Sequence, residues 1–343
     1  MTTEHLEQQP MAVQQEQPPA RAGRSLAPRV MSVFERYGLV WMLVLLVVFF
    51  GVWPETSDTF LSTANLRNLV AGQAVIAIAA LATLIPLVAG QFDVSIGSVT
   101  VAISIAVAAL STEAGLPLAV ALAGGIVLAA LIGLVSGSIV AYVRADPIVI
   151  TLGTATLVSG LGALYTDNES IVGIPQDLVA FGGGLWLGVP RPIWLMVAVI
   201  CFVGYLMRYT VLGRQLLMIG SNPDAAKLVG VRTQRLILVA FVLGAMLYGV
   251  AGALLLARTG AANPGDGFAA TLGALTAVFL GATTIRPGRF NVPGTIVGVF
   301  FVAVSVNGLT LAGAAAWVDP VFTGAALVIA VSISTLLTRR RQV

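Results

Sequence analysis

The chain has 343 residues, of which 58% are hydrophobic and 10% charged, with a mean hydropathy of +0.97; soluble globular domains run near 45–50% apolar and about 25% charged. That excludes a water-soluble fold. A single histidine, His5, and a single cysteine, Cys201, leave no ligand set for a transition-metal or haem site, and the formal charge of +3 reads as a topology signal with no nucleic-acid partner.

Residues 1–36 are rich in Gln, Pro and Glu and too poor in apolar residues to build a core, so they are expected to form a disordered cytoplasmic tail. The first apolar segment starts only near Gly38, which is unlike a secretory signal peptide with its short basic start. Charge-free stretches then run over 39–54, 68–89, 94–112, 118–143, 147–166, 192–207, 236–257, 268–285, 292–312 and 320–337. About 20 apolar residues cross a hydrocarbon core of about 30 Å. The expectation is an all-α, polytopic membrane helical bundle with about ten transmembrane helices. A transmembrane domain covers 37–338 and a basic cytoplasmic end covers 339–343.

If every stretch crosses from a cytoplasmic tail, the inside segments hold all but Arg67, Arg191 and Arg258 of the 18 basic residues. This asymmetry fits the positive-inside rule and puts both termini in the cytoplasm. Trp53, Trp186, Trp194 and Trp317 at one face and Trp41 at the other suit an aromatic belt. Cys201, within an apolar stretch, is expected to be a small core residue.

The ten stretches carry no charge as drawn, with Asp93 and Asp319 at their ends. An ion-driven carrier usually keeps ionisable residues in the bilayer, where each costs on the order of 2.5–3.5 kcal/mol. A nucleotide loop of the form GxxxxGK[ST] needs a lysine; the only one, Lys227, lies in AAKLVG. Any uphill transport must therefore draw its energy from another polypeptide. Among neutral polar residues in the stretches, Thr151, Thr154, Ser305 and Asn307 are the candidates for a hydrogen-bonding solute path. The alternative for each is a bond to a neighbouring carbonyl or helix, worth about 0.6 kcal/mol. Gly133 with Gly137, and Gly294 with Gly298, have the GxxxG spacing that lets helices approach closely.

Residues 208–235 form the most hydrophilic inside connection after the tail. Within GSNPDAAKLVGV, Asn222 suits an N-cap, Pro223 the first helical position, Asp224 the positive helix start and Gly230 the end. Ala225, Ala226, Lys227 and Leu228 fill the turn between. A helix this short needs a partner or the membrane surface to hold it. Asp93, in GQFDVSIGS, fits an N-cap for the third span. GQFDV at 90 echoes GRFNV at 288.

GRQLLMIGSNPDAAKLVGV resembles the cytoplasmic coupling segment of the monosaccharide ATP-binding-cassette (ABC) importer permeases, the class that carries ribose, xylose, arabinose and galactose. FLSTANLRNL, GQFDVSIGS, DPIVITLGTATLVSGL, IPQDLVAFGGGLWLGVPRP and LGALTAVFLGATTIRPGRFNVPGTIVGVFFVAVSVNGLTL resemble further family blocks, in order, over about 38–338. Departures include Gln91, Arg286, Pro287, Phe290, Asn291 and Val306. The resemblance implies the ABC importer permease fold in a bacterial inner membrane, with no catalytic residue and no cofactor of its own. ATP would be used by a partner ATPase subunit receiving the coupling helix, 222–230. A second permease protomer, identical or paralogous, would complete the path, and a solute-binding protein would dock outside on loops 167–191 and 258–267. Asp93 and Gly97 would serve a structural or gating role. An ion-coupled secondary transporter and a passive channel are the rival readings.

Overall fold

The computed structural model describes residues 26–339. After α1 (Leu26–Val52) and the single turn α2 (Ser57–Phe60) come α3 (Thr63–Val88), α4 (Ile96–Thr112) and α5 (Leu118–Ser138), which runs on as a π turn, Ile139–Val143. Next are α6 (Pro147–Thr166), α7 (Gln176–Gly183) and a two-residue hairpin, β1 (Leu185–Trp186) with β2 (Val189–Pro190). The chain continues through α8 (Arg191–Tyr209), α9 (Val211–Ser221), α10 (Pro223–Leu228) and α11 (Thr233–Thr259). A 3-10 turn, Pro264–Asp266, leads into α12 (Gly267–Gly281), followed by α13 (Val292–Leu311) and α14 (Val318–Arg339).

Ten of these are the expected apolar helices, one for each charge-free stretch. Among the described residues, seven are long and apolar enough to cross a membrane alone. The apolar part of α1 (Arg36–Val52) and α4 are shorter, and α12 has only 15 residues. The tail also differs from expectation. Residues 26–36 are helical and kink at Tyr37 into the apolar part of α1, where the Arg36 carbonyl accepts from Ile285 N at 2.8 Å and Thr284 Oγ1 at 3.0 Å. Residues 1–25 and 340–343 lie outside the described residues.

Local chemistry fixes the helix starts. Ser62 caps α3, Asp146 caps α6 before Pro147, Thr210 caps α9 and Asn291 caps α13, each accepting a backbone N–H of the first turn as capping residues do. Both GxxxG pairs act as packing surfaces. Gly133 and Gly137 bring α5 onto Phe241 and Ala245 of α11, and Gly294 and Gly298 bring α13 onto Gly281 and Ala277 of α12.

The bundle centres on α3, 78% of whose apolar window is buried among α8, α11, α12 and α13. Helix lengths repeat. α3, α4, α5 and α6 are matched by α11, α12, α13 and α14, and the long helix of each set packs on the other set's members. The echo between GQFDV and GRFNV is not this repeat, because the first precedes α4 and the second α13. Phe92 and Phe290 instead flank Phe279 from two sides, at centroid distances of 5.7 and 5.5 Å. Cys201 is exposed, contrary to expectation, because α8 packs inward through Met196, Val199 and Val203, which leaves position 201 on the other side.

Candidate coupling helix and solute path

The arginine-rich ends of the helices are called the basic end here, and the other side the opposite end. At the basic end, Asn222 caps α10: its Oδ1 accepts from Asp224 N at 3.1 Å and Ala225 N at 3.0 Å, with Pro223 first in the helix. The helix ends at Leu228, two residues short of the expected 222–230, because Gly230 takes φ +83° and Val231 N bonds back to Ala226 O at 3.0 Å. Gly230 is thus the left-handed stop just beyond the helix. Ala226 alone is buried, while Leu228 is 89% and Val229 68% exposed. Lys227 Nζ donates to Asp224 Oδ1 at 2.9 Å, and that hydrogen bond, together with the charge, holds the Asp224 carboxyl below the usual carboxylate range.

The segment is fastened to the bundle by close backbone contact. Leu216 and Ile219 of α9 are buried. A Cβ on Gly220 would collide with the Val88 carbonyl at the end of α3, and Gly90 lies against Gly220. Beside it opens a cleft of about 940 Å³ whose lining includes Arg144, Lys227, Arg232 and Arg235. Among the described residues the only ion pair is the one between Lys227 and Asp224.

From Gly90 the chain does not turn straight into a full-length helix. Residues 91–95 are non-helical, and they climb into the bundle. Val94 N donates to Thr151 Oγ1 at 3.0 Å, and Asp93 Oδ1 accepts from Ser95 N at 2.9 Å and Ser95 Oγ at 2.6 Å. Asp93 is 3% exposed. The Tyr248 hydroxyl sits between it and Thr83 Oγ1, the latter at 3.1 Å. Asp93 is therefore an interior residue, and Ser95 occupies the N-cap position of α4.

α4 and α12 start at the same level. Gly97 N donates to Thr271 Oγ1 at 2.9 Å, and a Cβ on Gly97 would collide with the Gly267 carbonyl. α4 then runs toward the opposite end, since it returns as α5, whose first turns lie by the C-terminal half of α11. α12 runs to the basic end, where the 282–291 loop meets Arg36. At 1.5 Å per residue, Gly97 is about 22 Å from the end of α4 and Gly267 about 21 Å from the end of α12. The junction is thus midway through a bilayer of about 40–45 Å. The expected outer loop, 258–267, is a surface loop only in its first part, where Ala262 bridges to Ile171; its last residues descend to mid-depth.

The residues expected on the solute path are engaged internally. Thr151 is fully buried and donates to Pro147 O at 2.8 Å while holding Val94. Thr154 bonds Ile150 O at 2.9 Å and Ser136 Oγ at 3.1 Å. Ser305 is buried, bonded to Phe301 O at 2.7 Å, and borders an apolar groove with Met42, Phe49 and Phe322. Asn307 exchanges two amide hydrogen bonds with Asn65, at 2.9 and 3.1 Å. The open arc of α6 is a different one, carrying Gly153, Thr156, Ser159 and Gly160. Ser159 Oγ bonds Ser98 Oγ of α4 at 3.0 Å. Ser98, Ser159 and Asp266 were not singled out by sequence. The brevity of α12 after an Asn-Pro-Gly-Asp turn was the signal available.

The family model described as "Branched-chain amino acid transport system / permease component" matches residues 65–331. The L-arabinose ABC transporter permease protein AraH of Azospirillum brasilense is 28% identical over 302 residues, 88% of each chain. The ribose import permease protein RbsC of Escherichia coli (strain K12) is 30% identical over 295 residues, 85% of this chain and 92% of its own. The D-allose transport system permease protein AlsC of the same strain is 24% identical over 306 residues, 89% of this chain and 93% of its own. No solved structure matches.

Proposed function

From its membership of the branched-chain amino acid transport system / permease component family, we infer that this chain is the membrane-spanning permease subunit of an ABC importer that takes up a monosaccharide or similar small polyol. The observation that carries the reading is full-length similarity to permeases named for ribose, arabinose and allose, joined to a capped helix that projects from the basic end. Those relatives lend nothing to the ion-coupled alternative. The chain is a multi-pass membrane protein, with the basic end facing the cytoplasm on the charge asymmetry.

In this reading α10 docks on an ATPase subunit, with Leu228 and Val229 as its apolar anchors, since exposed apolar side chains of this size mark contact sites. The cations around the neighbouring cleft suit an acidic rim on that partner. The partner binds and hydrolyses ATP, and this chain moves. A displacement of α10 reaches the end of α3 through Gly220 and Val88, then residues 91–95, and so the junction of α4 with α12. Asp93 and Gly97 fix that route. A second protomer closes the path, and the platform made by α7, the β hairpin and residues 167–175 receives a solute-loaded binding protein.

The test is uptake of labelled ribose, arabinose and allose into proteoliposomes holding the permease with its ATPase and binding protein. Uptake that needs ATP and survives a protonophore is expected. Uptake abolished by the protonophore and indifferent to ATP would overturn the assignment.

A further inference from the structure

The two non-helical stretches at mid-depth differ in what covers them. Residues 91–95 are shielded, with Asp93 and Ser95 buried. Residues 263–266 are not: Asn263 and Gly265 are exposed, and Pro264 and Asp266 half-exposed. Within a bilayer, irregular backbone is tolerated only where protein buries it or where it lines water. The Asp266 carboxylate sharpens the point, because it makes no hydrogen bond or ion pair among the described residues. An ionisable group facing hydrocarbon there would be costly, and such groups in a bilayer face protein or water.

Three elements converge at this place. The 3-10 turn ending in Asp266 packs on both α4 and α6. A Cβ on Gly267 would lie 3.4 Å from Ser98 N, and Ser98 Oγ is bonded to Ser159 Oγ at 3.0 Å. On α6, Thr156, Ser159 and Gly160 share one arc, and Leu157, Leu161 and Leu164 share the next, at 100° per residue. At the level of Ser159 the arc beside the junction is therefore polar and small, with Leu157, Leu161 and Leu164 on the next one; Val149 and Leu152 share the first arc nearer the start of α6.

We propose that Ser98, Ser159 and Asp266 form a water-lined station at mid-depth that recognises adjacent hydroxyl groups of the transported polyol. It rests on the sugar-permease reading and names the side chains that would read the solute. A carboxylate only accepts hydrogen bonds, through two oxygens, and so matches a pair of neighbouring hydroxyl donors; a serine hydroxyl both donates and accepts. The set carries no fixed cation, which suits a neutral solute.

Two measurements on the full transporter decide it. In a Cys201→Ala background, Ser159→Cys and Asp266→Cys are expected to react with a charged, membrane-impermeant methanethiosulfonate, while Thr151→Cys and Ser305→Cys stay unmodified. Absence of reaction at both open positions overturns the station. In uptake assays with labelled ribose, arabinose and allose, Asp266→Asn is expected to lose about tenfold or more, the size of one good hydrogen-bonded contact, and Asp266→Glu to recover part of it. Wild-type uptake by Asp266→Asn and Ser159→Ala overturns the recognition role. So does Asp266-dependent uptake of labelled leucine with no uptake of sugars. If the wild type carries none of the three sugars while Asp266→Cys is labelled, the parent sugar reading fails and the water-lined path stands.

Discussion

The coupling segment and the mid-membrane junction both interrupt an apolar chain, yet they are built in opposite ways. α10 is held by bonds within a few residues of one another, Asn222 at its start and Gly230 at its end, and leaves all but Ala226 in the open. The junction has little local support. It depends on backbone from two distant segments meeting at Gly97 and Gly267, with Thr271, one turn further along α12, and Thr151 of α6 closing it. Local chemistry is enough where a helix must project, and tertiary contact must do the work where two half-length helices have to start inside a membrane.

Replacing Gly97 by Val strikes the junction hardest, since the new side chain meets the Gly267 backbone, and overpacking of this kind costs about 1–3 kcal/mol or more. The apparent melting midpoint in detergent should fall by several degrees. Gly153→Val, at a position with nothing within 4 Å, should leave it nearly unchanged. Equal melting of the two would erase the contrast.

Leu228→Glu should do the reverse, keeping the melt while cutting ATP-driven uptake about tenfold or more, the loss of one buried anchor at an interface. Full uptake in that variant would remove α10 from the coupling role. Asn222→Ala is smaller, about 1 kcal/mol of local stability, and should speed hydrogen exchange at the Asp224 and Ala225 amides about fivefold while Asp93 and Ser95 keep their protection.

The smallest effect is one of pH. The Asp224 carboxyl is depressed by Lys227, so the unfolded chain binds its proton more readily than the folded one. Any support the pair gives α10 is present above about pH 4, the ordinary carboxylate value, and fades as pH falls through the lower folded value. Exchange protection of α10 should weaken over that window, and in Asp224→Asn it should be flat with pH.

The same contrast explains what could be read in the sequence. Helix existence follows from charge-free length, and α10 with its caps follows from residue types a few positions apart, so both were legible. Depth and rotation were not. Nothing in GQFDVSIGS says that Asp93 lies inside rather than at an end, because that depends on Thr151, Tyr248 and Thr271, residues 58 to 178 positions away. Thr151 and Thr154, expected on a solute path, lie on α6 away from its exposed Thr156 and Ser159. Their hydroxyls return to Pro147 and Ile150 carbonyls, and the side that stays open was fixed by where α4 and α5 pack.

The burial of α3 carries a consequence for how the protein is made. Among its covering helices, α11 is complete only 171 residues after α3 ends, roughly 10–30 s later at ordinary rates of synthesis. During that time α3 must be at ease in lipid, although it finishes surrounded by protein. The selection on its residues is therefore set by the interval before assembly as much as by the finished bundle. That is reason enough for the most enclosed helix, beyond Asn65, Arg67 and Asn68 in its first turns, to hold its polar content to groups as mild as Thr83 and Gln73.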